Sequence, residues 1–136
     1  MIVDTSALVA IAYREAGYAR LRDAILNEGG RLPAQALVEF KRTVTARGSV
    51  EHRAADDLLG ELVGRSLDVE AFTAQDAEIA VEANSAYGLG NGKGGTLNLL
   101  DLMVYAVAMR TKQPILCTGR DFSRTDVDVH PASLTT

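Results

Sequence analysis

Apolar positions along the chain switch repeatedly between short solid runs and helical spacing. Met1 to Val3 is a short run closed by Asp4, which predicts a first strand. Helical spacing follows from Ser6 to Arg14 and again from Tyr18 to Asn27, stopping at Gly29 and Gly30. Arg31 to Pro33 reads as a short second strand. Ala34 to Arg47 then places Leu37, Phe40 and Val44 on one helix face before a break at Gly48. Ser49 is positioned to cap the next helix, which runs to Arg65 and presents Ala55, Leu58, Leu59 and Leu62. Leu67 to Phe72 alternates with a period of two and predicts a third strand. Thr73 opens a helix to Tyr87, and Gly88 to Gly95 is a loop. An apolar helix follows, then Pro114, a strand from Ile115 to Thr118, a helical turn and an edge strand at Val127 to Val129. Strands and helices alternate without a repeat or linker across residues 1–136. The expected fold is therefore α/β, one domain with a mainly parallel sheet and helices on both faces. Its site should lie beyond the carboxyl ends of the strands.

One residue disturbs this pattern. Asp101 is the only charge between Thr96 and Met109, in TLNLLDLMVYAVAM. A helix apolar on every side is normally buried, and an unpaired carboxylate there must be neutralised, hydrogen-bonded or bound to a cation. Asp4 ends the first strand and Asp121 follows the last long one, so a parallel sheet brings both to the same edge. Glu39 lies on an early helix. Four converging acids form an all-oxygen set that favours Mg²⁺ or Mn²⁺ over zinc, and such ions serve phosphodiester hydrolysis. His52 and His130 are not spaced as ligands, and Cys117 lies within a strand.

Each acid also has a simpler reading. Asn98 and Asp101 are spaced as a capping box, as are Thr118 and Asp121, and Thr73 with Asp76 repeats the pattern where no chemistry is suggested. Asp4 is equally a cap for the helix after it. A helical wheel puts Glu39 opposite Leu37 and Val44, beside Gln35 and Arg42, where a solvated surface acid is the default.

Composition narrows the class further. The chain is 47% hydrophobic and 24% charged, as expected of a soluble globular domain, and its net charge of −4 excludes a generic nucleic-acid binder held by its overall field. Any nucleic-acid role must rest on a local site. No signal peptide or membrane span is expected, because Asp4 interrupts the apolar start and no run reaches roughly 18 apolar residues. The single cysteine suits a reducing cytoplasm. Gly90, Gly92 and Gly95 spell G-x-G-x-x-G, but they follow a helix rather than a strand, and no P-loop is present. A haloacid-dehalogenase-like phosphatase would need a second Asp two residues after the first, where this chain has Ser6.

Four ordered fragments, MIVDTSALVAI, QALVEF, LNLLDLMVYAVA and TGRDFSRTDV, closely resemble the PIN-domain nucleases and among them the VapC toxins of type II toxin-antitoxin pairs. The resemblance spans nearly the whole chain. It implies a compact three-layer α/β/α sandwich and a Mg²⁺-dependent ribonuclease site on Asp4, Glu39, Asp101 and Asp121. Ser6 matches the small hydroxyl after the first Asp, Asn98 the Asn before the third, and Asp126 the closing TD pair. The chain departs from the family pattern at Leu100, where glycine is usual, and at Leu102, where a small residue or Cys is usual. Arg120 is a candidate phosphate contact, and Lys93, Arg110 and Lys112 are candidate guides for an RNA backbone. The implied partners are an RNA substrate, a VapB-like antitoxin and a second copy of the chain. An antitoxin is expected to set an Arg or Lys against the acids and to grip Leu8, Ile11, Ala12 and Tyr13. The alternative to an enzyme is a non-catalytic interaction module with the same fold.

Overall fold

Ile2 and Val3 are wholly buried and form β1 (Ile2–Val3) at the centre of the sheet in the computed structural model. The structure describes Met1 to Thr136, apart from the side chains of Ser49 and Glu51. Ser49's expected cap therefore lies outside the described residues. The chain continues through α1 (Thr5–Ala12), α2 (Tyr18–Glu28) and β2 (Gly30–Pro33) to α3 (Ala34–Thr45) and α4 (Ser49–Leu62). It closes with β3 (Leu67–Glu70), α5 (Ala74–Tyr87), α6 (Leu99–Thr111) and β4 (Ile115–Leu116). Among the described residues the sheet has the order β3-β2-β1-β4, and every pairing is parallel. Helical crossovers impose this, since parallel neighbours cannot be joined by a tight hairpin.

The order fixes where a site can form. From β1 the chain steps outward through β2 to β3, then returns to place β4 on the other side of β1. Beyond the carboxyl ends of β1 and β4 the connections diverge and leave a crevice. Ile2 pairs with Ile115 and Val3 with Leu116, so Asp4 and the segment after Leu116 leave the sheet side by side.

The last helix explains the apolar run. Val104, Ala106 and Val107 of α6 are fully buried, and the helix packs along α5 and against α3 and β1. Its far end is held by Arg110. That guanidinium donates to the carboxylate of Asp76 at 2.6 Å, to Glu70 at 3.0 Å and to the carbonyl of Ala71. Asp76 is wholly buried, and its other oxygen accepts from the Thr73 backbone in the capping box of α5. Burial alone would raise the Asp76 carboxyl, but the Arg110 and Thr73 hydrogen bonds outweigh it and hold the group below the usual carboxylate range.

The structure corrects two expectations. Leu8 and Ile11 are core residues, at 0% and 5% exposure, because α1 is covered by α2, α3 and α4. They offer no surface to a partner, and Ala12 and Tyr13 are only half-buried. The expected edge strand at Val127 to Val129 is instead a single parallel bridge from Val129 to Ile115, followed by another between Leu134 and Thr118. Between them the Ser133 hydroxyl accepts from the Cys117 backbone N–H and donates to the Ile115 carbonyl. The Ser133 side chain thus takes the Cys117 N–H, which a regular strand would pair with a backbone carbonyl.

Candidate active site

Asp4 stands at the junction of β1 and α1. Its carboxylate accepts from the Ser6 backbone N–H at 3.0 Å and from the Ser6 hydroxyl at 2.5 Å, so it does cap α1. The Ser6 oxygen in turn accepts from the Thr118 backbone N–H at 3.0 Å. One hydroxyl therefore ties Asp4 to the turn that carries Asp121, donating once and accepting once. Asp4 is buried, and burial is the main force raising its carboxyl above the ordinary value; the Glu39 charge adds to it and the Ser6 hydrogen bonds oppose it.

Glu39 projects from α3 toward the same place. The buried Thr5 hydroxyl lies 2.9 Å from its Oε2 and 3.1 Å from the Ala36 carbonyl oxygen. Because a hydroxyl has one proton to give, these acceptors share it, and Thr5 fixes the Glu39 carboxylate against the start of α1. Sequence reasoning missed Thr5. Nothing in its local pattern marks it, and its role exists only because α3 crosses α1.

At Asp101 the capping reading is met. Asn98 Oδ1 accepts from the Asp101 N–H at 2.9 Å, and Asp101 Oδ2 accepts from the Asn98 N–H at 3.0 Å, a complete capping box. The cap occupies one carboxylate oxygen. Asp101 is pushed up to about 6, first by burial and then by the charges of Asp4, Asp121 and Glu39, against the opposing Asn98 hydrogen bond. The expected Thr118 cap at Asp121 does not form. Thr118 belongs to the bridge with Leu134, and Gly119, at φ 83°, turns the chain so that Asp121 is exposed with no side-chain capping bond.

Asp4, Glu39 and Asp121 thus lie near enough to Asp101 for their charges to act on it, and no cationic side chain pairs with any of the four among the described residues. As they stand, no three of the described His, Cys, Asp or Glu residues are close enough together to share one ion. The donor chemistry nevertheless fits a hard divalent cation: Asp4, Glu39 and Asp101 are carboxylates held by hydrogen bonds, and no cationic side chain offsets the charge of the group. Cys117 is no competing ligand, since burial and then the Asp4 charge push its thiol up to about 12. His52 pairs with Asp56 and His130 with Glu28, both away from the crevice.

The remaining candidates sit elsewhere or are engaged. Asp126 accepts from the Tyr105 hydroxyl at 2.6 Å and lines the α5/α6 cleft rather than the crevice. Arg120 donates to the Thr135 carbonyl at 3.1 Å. Arg110 is consumed by Asp76 and Glu70. Lys112 is the left-handed cap of α6, and Lys93 lies exposed in the glycine loop. Leu100 lies beside the crevice and lines a groove along α3.

Comparison with known proteins places this architecture. The family model described as PIN domain matches residues 1–128. Ribonuclease VapC42 of Mycobacterium tuberculosis is 39% identical over 129 residues, which span 93% of this chain and 96% of that protein. A crystal structure of Mycobacterium tuberculosis VapC20, a sarcin-ricin loop cleaving toxin, matches with a TM-score of 0.74 at 21% identity, covering 96% of this chain and 98% of that one. The VapBC2 structure from Rickettsia felis, bound to a promoter DNA fragment, matches at 0.70 and 18% identity over 99% of this chain and 96% of that one. At such identities the two structures speak for the fold. This chain belongs to the PIN-domain family, and curated relatives that it matches over most of its length are VapC ribonucleases.

Proposed function

We propose that this chain is a Mg²⁺- or Mn²⁺-dependent endoribonuclease and the toxin of a VapBC-type pair. The observation that carries the reading is the uncompensated cluster of Asp4, Glu39, Asp101 and Asp121 at the point where the sheet connections diverge. Asp4, Asp101 and Asp121 would hold the ion. When bound, it supplies charge stabilisation at a phosphoryl oxygen and acidifies water. Ser6 keeps the Asp4 carboxylate turned toward the Asp121 turn, and the Asn98 cap fixes Asp101 while leaving its Oδ1 free to bind. Glu39, held by Thr5, completes the cluster or orients the attacking water. No side chain is required as the nucleophile.

The phosphatase alternative loses its remaining support here, because the position where it needs a second acid is filled by Ser6, whose hydroxyl is committed to Asp4 and Thr118. The partner follows from the same charges. A VapB-like antitoxin would set an Arg or Lys against the four acids, where a planar guanidinium meets carboxylates bidentately, and would compete with the ion. A homodimer in the cytoplasm completes the proposal. A thermal melt tests the site: Mn²⁺ should raise the melting temperature of the parent and leave that of an Asp4→Asn, Asp101→Asn double variant unchanged. An equal rise in both would place the ion elsewhere and return the chain to the interaction-module reading.

A further inference from the structure

Beside Glu39 a groove of about 480 Å³ runs along the exposed face of α3. Gln35, Val38, Arg42 and Ala46 recur at helical spacing along one wall, Glu39 stands at its rim, and Leu100 closes it from the start of α6. It borders the acid cluster at Glu39. Glu39 belongs to both, and Leu100 immediately precedes Asp101. Two features distinguish it from an ordinary furrow. Val38 is 67% exposed, an apolar side chain turned out beside a chemical site. Both amide atoms of Gln35 are shielded from solvent and have no hydrogen-bond partner, which leaves one donor group and one acceptor unmet. An unmet buried amide is costly, so turning it toward an incoming edge that offers an acceptor and a donor breaks no existing bond.

We infer that this groove is a base subsite: it takes the unstacked nucleobase next to the scissile phosphodiester, with Leu100 and Val38 against its face and Gln35 on its edge. The inference rests on the ribonuclease reading and deepens it. Single-stranded RNA is recognised through bases splayed out against flat apolar surfaces and read on their edges. A side-chain amide matches the paired donor and acceptor of adenine best, which makes adenine the preferred base. Arg42 makes no ion pair among the described residues and lies where the backbone of the same nucleotide would run. A second copy of the chain is the competing occupant. A purely apolar contact between copies would leave the Gln35 amide unsatisfied and would bury Glu39 and Arg42 at its edge.

The test uses a fluorescent single-stranded oligoribonucleotide that the parent chain cuts, prepared with an abasic site at each position flanking the cut in turn. Binding is read by anisotropy on the full chain carrying Asp4→Asn, alone or combined with Leu100→Ala or Gln35→Ala. One abasic position should weaken binding about tenfold in the Asp4→Asn chain and by under about twofold in either combined variant. Deleting the base from the RNA keeps the test independent of any effect on folding. Equal abasic penalties in all three chains would overturn the inference. So would a fall in oligomeric state on Leu100→Ala with the abasic penalties unchanged, which would make the groove an interface between copies. A parent chain that cuts no RNA would remove the ribonuclease reading and this inference together, whereas cutting without base coupling removes this inference alone.

Discussion

Replacing Asp101 with Asn should stabilise the metal-free protein. Burial and the charges of Asp4, Asp121 and Glu39 raise the Asp101 carboxyl from an ordinary 3.8 to about 6. A gap of about two pH units corresponds to about 3 kcal/mol at full expression. Asp101 is half-buried, so solvent screening reduces this to about 1–2 kcal/mol. The sign follows from proton linkage. The folded carboxyl holds its proton more tightly than the unfolded one, so ionisation weakens the fold. The penalty is absent below the ordinary value of 3.8, grows as pH rises toward about 6, and is complete above that. Asn carries no such charge, yet its side-chain oxygen can still accept from the Asn98 N–H and keep the cap. Chemical denaturation in excess chelator should therefore show Asp101→Asn more stable than the parent by about 1–2 kcal/mol at neutral pH, about 3–8 °C in melting temperature. The gain should vanish at a pH below 3.8. A variant less stable than the parent at neutral pH, or a gain that does not change with pH, would refute the reasoning that burial and the neighbouring acids make the Asp101 charge unfavourable.

Three further outcomes are expected. Arg110→Met leaves the buried Asp76 carboxylate without its counter-charge and should cost about 3–5 kcal/mol in denaturation. Because the folded Asp76 carboxyl is depressed, the stability it contributes is present above its ordinary value of 3.8 and is lost as pH falls through the depressed value; the variant should lack that acid-side loss. Thr73→Ala should cost about 1 kcal/mol by melting with RNA cleavage unchanged, since it removes a cap far from the acids. Thr5→Val should lower the cleavage rate and weaken the Mn²⁺-induced rise in melting temperature, while Thr5→Ser retains both, because only the hydroxyl holds Glu39; equal behaviour of the two variants would show that Thr5 only packs.

The alternation of strands and helices was legible because each element carries its own period. The parallel order followed because each strand is separated from the next by at least one helix. Asp101 was conspicuous for the same reason, as a lone charge in an apolar run. What the pattern could not resolve was whether an acid caps a helix or serves a site, since both place it in a first turn. The structure shows that the cap at Asp101 occupies one carboxylate oxygen and leaves the other without a hydrogen bond, and that no side-chain cap forms at Asp121. Leu8 and Ile11 were misjudged because a helix read alone shows an apolar face but not the α2, α3 and α4 that cover it. Thr5 and the Gln35 groove were invisible for a related reason. Their meaning depends on which segment crosses them, which is long-range information.

Single-stranded RNA incubated with the parent and with Asp101→Asn, each in Mn²⁺ and in excess chelator, tests the central claim most directly. Cleavage is expected from the parent only with the ion, and none from Asp101→Asn although that variant melts higher than the parent in chelator, so the loss cannot be ascribed to unfolding. Cleavage by the parent in excess chelator, or by Asp101→Asn at the parental rate, would contradict it.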